Sequence, residues 1–362
     1  MDFLTSFILS VIVGVFTTLA CISLLKPAAV HIGLVDTPGG RKTHLNAVQL
    51  IGGISLFFGF CFSLLCLGIS LQNYRGLLAG SAILVLLGVM DDFRELTPRI
   101  RLVGQCLAAL LLIEWGHHTI NHLGNLFFLG NLNLGVFSFF VTIIFVLGFI
   151  NSINMIDGHD GLAGSIILGQ AAFLALFNYQ LHQYQNMYLL FIFISTLIVF
   201  LIFNFPLTKQ KPASIFLGDA GSTFVGFVVI WFAVDLLQMM FVNKHPQSNL
   251  NPVTVLFILG YPLYDLLAVI LHRLSTKRSA FSASRDHLHY LLLDRGLNRR
   301  VVTLLLFMFS IFLGLIGVVL AKEKVIESWQ LVIFLSLFCI YFLATKVFQK
   351  KWLVDMHSEA RA

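Results

Sequence analysis

Apolar runs of helix length follow one another along almost the whole chain. The first is Phe3 to Leu25, and ten more lie near 50–71, 76–90, 102–115, 136–150, 161–178, 188–206, 220–242, 252–272, 301–321 and 329–345. Inside hydrocarbon every backbone N–H and C=O must be satisfied within the protein, which leaves helices and closed barrels as the spanning structures. A barrel would show alternating segments of about ten residues. These runs are continuous instead, and many approach the roughly 20 residues that a spanning helix needs. Composition agrees, since 58% of the residues are hydrophobic and 11% charged, against roughly 25% charged in a soluble domain. The expectation is an all-α integral membrane protein, a polytopic bundle of about eleven transmembrane helices forming one multi-span domain over residues 1–345, with a short tail at 346–362. The first run has no basic segment ahead of it and exceeds the roughly 7 to 15 apolar residues of a signal-peptide core, so it reads as a span. The five cysteines all lie in apolar runs without a close pair, which suits packing better than metal or disulfide chemistry.

Charge then orients the bundle. The segments 26–49, 91–101, 151–160, 207–219, 273–300 and the tail from Lys346 hold 19 of the 23 Lys and Arg residues, while the opposite loops keep only Arg75, Lys244, Lys322 and Lys324. By the positive-inside bias the N-terminus lies outside, in the periplasm, and the C-terminus in the cytoplasm. The net charge of +6 thus describes one face and calls for no nucleic-acid partner.

Carboxylates carry the chemistry, because a charge at a helix centre costs roughly 2.5 to 3.5 kcal/mol even on lenient scales. Six of the 17 acids fall in three clusters at inner ends of the spans: Asp91, Asp92 and Glu95; Asp157 and Asp160; and Asp219. If the helix continues through Met90–Glu95, Asp91 and Glu95 are i,i+4 neighbours and the three acids share a face. Carboxylates at a helix C-terminus oppose the macrodipole, which argues against a merely solvated end. In Asn151-Ser-Ile-Asn154-Met-Ile-Asp157-Gly-His-Asp160-Gly-Leu, polar residues recur at i+3 steps that begin inside a span, more than a plain Asx-rich connector requires. Asp219 lies among small residues at the start of a span, where helix capping competes with a metal or phosphate position. The basic groups Arg41, Lys42, His44, Arg94, Arg99, Arg101, Lys209, Lys211 and those between Arg273 and His289 share the predicted face. A lone His287-x-His289 is weak evidence for zinc, which takes three or four protein ligands. Mg²⁺ is bound through one or two carboxylates, with substrate phosphates and water completing its shell, and phosphoryl transfer needs that kind of charge neutralisation and positioning.

The motifs Gly33-Leu-Val-Asp36-x-Pro38 with Arg41-Lys42-x-His44, Gly52-Gly53, Asp91-Asp92, the Asn151 to Leu162 run, Phe216-x-Gly218-Asp219-Ala-Gly-Ser and Ser279-x-Phe281-Ser282 leading to His287-x-His289 together resemble the polyprenyl-phosphate N-acetylhexosamine-1-phosphate transferases. The likeness runs from about Gly33 to Arg300. It implies a bacterial inner-membrane enzyme whose active site faces the cytoplasm. Such an enzyme moves N-acetylglucosamine 1-phosphate from UDP-N-acetylglucosamine to undecaprenyl phosphate and releases UMP, the first lipid-linked step of a cell-surface polysaccharide. It implies Mg²⁺ as cofactor, with Mn²⁺ as a substitute, and Asp219 as the principal ligand. Asp91 and Asp92 would bind metal or activate the lipid phosphate. Asp157, Asp160, Asn151 and Asn154 would orient substrate, and Arg41, Lys42, His44, Arg285, His287 and His289 would bind it. Inner-membrane lipids are the implied surroundings, and a homodimer is left open. Glu95, Gln49 and Tyr290 stand where the family usually has Asp, Pro and His. Two rival readings remain: a sister enzyme using the muramoyl-pentapeptide donor, and a secondary transporter, whose site would lie near the midplane on broken helices.

The orientation is testable directly. Single cysteines at Ser214 or Ser284, in a cysteine-free background, should react only with reagents admitted to the cytoplasm, and one at Ser248 only with external reagents; labelling of Ser284 from outside overturns the assignment.

Overall fold

The computed structural model describes residues 3–37, 47–205, 213–242, 250–279 and 285–359. Helices dominate: α1 (Phe3–Ile32), α2 (Gly52–Leu64), α3 (Arg75–Phe93), α4 (Pro98–Glu114), α5 (Ser138–Ile156), α6 (Leu162–Gln180), α7 (Tyr184–Asn204), α8 (Gly218–Val242), α9 (Pro252–Ile258), α10 (Gly260–Ser275), α11 (Leu288–Leu293), α12 (Arg299–Lys322) and α13 (Glu327–Glu359). The described strands, β1 (Val35–Asp36) and β2 (Val48–Gln49), pair antiparallel.

Each of the eleven apolar runs contains a helix, but the number of membrane-length helices is smaller. Among the described residues eight helices are long and apolar enough to cross a bilayer, or up to nine if α9 and α10, bent by 77° at Leu259, count as one span. The difference lies in α2 and α4, which have 13 and 17 residues. At 1.5 Å per residue these are about 20 and 25 Å long, short of the roughly 30 Å hydrocarbon thickness. Pro98 starts α4 ahead of the apolar run at 102–115, so Arg99 and Arg101 stand in its first turn.

The helices gather into two compact units. The first comprises Met1–His122 and Leu134–Ser248. Its axis is α8, which packs on α2, α3, α5 and α6, while α1 packs on α2 and α7. Phe224, Phe227, Trp231 and Phe232 of α8 are all fully buried, as expected of a helix apolar all round its circumference. Its first turn is gripped by glycines. A Cβ on Gly88 of α3 would lie 2.3 Å from the Cα of Ala220, and one on Gly53 of α2 would lie 2.2 Å from the backbone N of Gly221. Main-chain bonds lock the segment ahead of α8: Phe216 N–H donates to Gln49 O (2.8 Å), Gly52 N–H to Phe216 O (2.9 Å) and Gly53 N–H to Leu217 O (3.1 Å). Thus the Gly52-Gly53 motif exists to let two backbones touch.

The second unit comprises Leu123–Asn133 and Asn249–Ala362. In it α12 and α13 pack against the bent α9–α10 pair and against α11. Asn251 caps α9 by accepting from Thr254 N–H. Between α4 and α5 a small hairpin closes through Leu123 N–H to Leu132 O and Leu132 N–H to Gly124 O, pinned to the start of α13 by Asn125 N–H donating to Glu327.

Because the Gly88 contact is with backbone, Gly88→Val has no side chain to displace and must part α3 from α8. Overpacking of this kind costs about 1–3 kcal/mol, and a lowered midpoint of thermal unfolding in detergent is the expected result.

Candidate active site

A helix N-terminus leaves backbone N–H groups without partners, and a nearby carboxylate satisfies both the hydrogen bonds and the dipole. Asp92, near the end of α3, does this for α8: one oxygen accepts from Asp219 N–H (2.9 Å) and the other from Ala220 N–H (3.3 Å). The preceding residue, Gly218, is left-handed with φ +72°, and a Cβ there would come within 2.6 Å of the Asp92 carboxylate. Glycine is therefore required at 218 on two counts. Capping, which the sequence offered as an alternative role for Asp219, is performed by Asp92.

Asp219 is left free to face outward, and its side chain is 31% exposed. One of its oxygens accepts from Asn154, whose amide also donates to the Ser222 hydroxyl (2.9 Å). The other lies 4.0 Å from the Arg101 guanidinium, and Arg101 pairs with Asp91 at 2.6 Å. The second oxygen of Asp91 accepts Leu96 N–H at 2.7 Å. Asp91, Arg101, Asn154 and Asp219 line an open cleft together with Asn151 and Gln105, whose amides bond reciprocally at 2.7 and 3.3 Å. Asp91, Asp92, Asn151, Asn154 and Asp219, distant in sequence, are thus brought together.

Glu95 is not part of this group. α3 ends at Phe93 and Arg94 is extended, so the i,i+4 relation with Asp91 is lost and Glu95 is exposed to its surroundings. The i+3 series from Asn151 likewise stops being helical at Asp157, the residue that ends α5. Packing around Asp157 strips water from its carboxyl and pushes it up to about 8, and the charges of Asp219, Asp92 and Asp160 act in the same direction. A cation there would relieve both effects. Asp160 is buried and accepts Ala213 N–H (3.3 Å), which ties the Asp157–Gly161 turn to the segment before α8. Asn204 makes the same tie with its own amide, accepting from Gly161 N–H (2.8 Å) and donating to Ile215 O (2.9 Å).

Sequence reading missed Gln105 and Asn204. The available signal was a polar residue one turn beyond Arg101 in an apolar run and another at the end of α7. Arg41, Lys42 and His44 lie outside the described residues.

The histidine motif belongs to the second unit. His287 and His289 are 4% and 0% exposed, with rings stacked at 5.6 Å and 18°. His287 Nδ1 lies 2.6 Å from Asp265. Arg285 pairs with Asp294 (2.7 Å) and its guanidinium lies over the ring of Tyr290, 5.0 Å from its centre.

Among the described residues no three His, Cys, Asp or Glu side chains converge to hold a metal alone. The half-exposed Asp219 carboxylate and the neighbouring Asp91 suit a hard cation that shares its shell with phosphate and water, as Mg²⁺ does. They do not suit zinc, which wants a nearly complete set of protein ligands.

Residues 74–237 match glycosyl transferase family 4. The chain is 34% identical over 325 residues to the undecaprenyl-phosphate alpha-N-acetylglucosaminyl 1-phosphate transferase of Yersinia pestis, covering 90% of this chain and 87% of that one. Proteins of the same description from Escherichia coli (strain K12) and Haemophilus influenzae are each 32% identical, over 327 and 340 residues; the first alignment covers 90% of this chain and 87% of the relative, the second 94% and 92%. The chain belongs to this transferase family, as its motifs indicated, and its apolar helices make it a multi-pass membrane protein.

The two neighbouring aspartates should separate in mutation. In Asp92→Asn only one side-chain atom can accept, so one N–H of α8 loses its partner at a cost of about 0.5–2 kcal/mol. Asp219→Asn removes no backbone bond. Thermal unfolding in detergent should therefore fall for Asp92→Asn and stay within a degree or two of wild type for Asp219→Asn.

Proposed function

We propose that this protein transfers N-acetylglucosamine 1-phosphate from UDP-N-acetylglucosamine to undecaprenyl phosphate, releasing UMP, on the cytoplasmic side of a bacterial inner membrane. The observation that carries the proposal is the half-exposed Asp219 carboxylate in a cleft beside the Asp91–Arg101 pair, in a chain similar over most of its length to enzymes whose names state this transfer. The N-terminus-outside orientation follows from the Lys and Arg distribution. In this reading the short helices α2 and α4 complete eleven crossings.

The reaction forms a bond between an oxygen of the lipid phosphate and the β-phosphorus of the donor. The bond from that phosphorus to the bridging oxygen breaks, and the oxygen leaves with UMP. The anomeric centre of the sugar is untouched. A phosphate monoester has a second pKa of roughly 6, so the attacking group is already largely dianionic and needs little help from a general base. Charge is the obstacle, because the lipid phosphate and the donor's diphosphate must enter a cleft that already contains carboxylates. Arg101 supplies one positive group there. Asp219, oriented by Asn154, and Asp91 would hold Mg²⁺, which when bound neutralises the phosphate oxygens and orients them. Asp92 and Asp160 act by fixing the start of α8 and the segment before it, and Asp157 and Asn151 by orienting substrate at the cleft. Arg285, His287 and His289 are assigned to the donor's diphosphate or amino sugar on the motif resemblance, with the fully buried His289 holding the His287 ring by stacking. Arg41, Lys42 and His44 are assigned to substrate on the same ground.

Purified protein given short-chain polyprenyl phosphate, Mg²⁺ and one UDP-sugar at a time should release UMP fastest from UDP-N-acetylglucosamine. Chelation with EDTA should stop release, and Asp219→Asn should lower it by about 100-fold or more. Equal or faster release from UDP-N-acetylgalactosamine or the muramoyl-pentapeptide donor overturns the sugar assignment. Near-normal activity of Asp219→Asn overturns the metal assignment.

A further inference from the structure

Asp265 lies in α10, 1% exposed, in a helix that forms part of an apolar bent pair. An acid so placed is expensive and is kept only with partners. Among the described residues three hydrogen-bond it, all within the second unit. One oxygen faces His287 Nδ1 at 2.6 Å. The other accepts both Leu288 N–H (3.1 Å) and the Tyr341 hydroxyl (2.8 Å). His287 is further confined by His289, stacked on its ring, and His289 by Tyr290 at 4.1 Å between centroids.

We infer that Asp265 is a positioning residue for His287, fixing the ring and keeping a proton on Nδ1 so that Nε2 is the nitrogen presented to substrate. An imidazole is ambiguous by itself, because its proton can sit on either nitrogen and the ring can turn over. A carboxylate resolves the ambiguity because it can only accept. Whatever meets Nδ1 at 2.6 Å must be met by an N–H, and the stacked ring removes the freedom to flip. The inference rests on the reading of His287 as a donor-recognition group. It adds that the binding capacity of that group is set from α10, by a residue outside the histidine motif.

The geometry also dictates what the isosteric variant does. In Asp265→Asn the side chain has one oxygen and one NH₂. Leu288 N–H can only donate, so it holds the oxygen on its own side and turns the NH₂ toward His287. Facing a donor, Nδ1 must accept, and the proton moves to Nε2. The fold is kept, the charge is lost and the tautomer is reversed. A purely structural role for Asp265 predicts no such coupling between tautomer and turnover.

The test uses full-length protein labelled with ¹⁵N-histidine in lipid nanodiscs, with the His287 signals assigned by their loss in His287→Gln. The wild type should show Nδ1 protonated at neutral and alkaline pH. Asp265→Asn should move the proton to Nε2 and lower kcat for UMP release by about 100-fold, with KM for the lipid phosphate within about threefold and thermal unfolding within a few degrees of wild type. Tyr341→Phe, which leaves the His287 contact in place, should keep the wild-type tautomer. A bare Nδ1 in the wild type, an unchanged tautomer in Asp265→Asn, or a reversed tautomer with intact turnover each overturns the inference. If Asp265→Asn fails to fold, the wild-type and Tyr341→Phe spectra still decide it. Wild-type protein that releases UMP from no UDP-sugar would instead defeat the transferase reading, while the tautomer measurement would stand.

Discussion

The first turn of α8 has backbone N–H groups that its own helix cannot satisfy, and the Asp92 carboxylate that accepts two of them determines where Asp219 points. The bond is charge-assisted and aligned with the helix dipole. It can form only because Gly218 has no Cβ to block the approach and because Gly53 and Gly88 let α2 and α3 press against the same turn. Loosening any of these contacts moves the backbone that carries Asp219. Position at this site is therefore a property of tightly packed main chain, and side-chain bonds such as Asn154 to Asp219 refine it.

The helical, membrane-spanning class was legible because hydrophobic runs of helix length have few alternatives in a bilayer. Span length was less legible. A run of apolar residues does not reveal where the helix inside it begins, and for 50–71 and 102–115 the helices α2 and α4 are short by membrane standards. Glycine at 52 and 53 marks the start of α2 as a backbone contact but gives no sign that the helix stops at Leu64, whereas Pro98 starts α4 ahead of a run that is helical almost throughout and is itself short. Nor does apolar patterning predict the bend at Leu259, which divides one predicted run into α9 and α10.

Within the carboxylate clusters, the sequence located the acids and left their division of labour open. Counting along an assumed helix joined Glu95 to Asp91, and the extended Arg94 separates them. Capping was an option for Asp219 because position in the chain favours the residue at the helix start, yet the capping group comes from 127 residues away. Long-range partners of this kind carry no local signal. The same holds for Asn204, which spans from the turn after α5 to the segment before α8.

Five acids among the described residues differ in how far the protein uses up their acceptors, and that difference ranks them for ligand binding. Asp92 gives both oxygens to main-chain N–H groups. Asp265 gives one to His287 and the other to Leu288 and Tyr341. Asp235 is taken up by Asn186 and His118, and burial of that imidazole lowers it to about 4, so the pair meets as a neutral ring beside the acid. Asp91 gives one oxygen to Leu96 N–H and the other to Arg101. Asp219 has one oxygen on an amide and the other 4.0 Å from a guanidinium, beside the Asp91 carboxyl, while a carboxylate can accept about four bonds. Acceptor capacity left over at a half-exposed carboxylate is what a hard cation or a bound water shell would use, and at Asp219 it falls at a position that tight backbone packing holds in place.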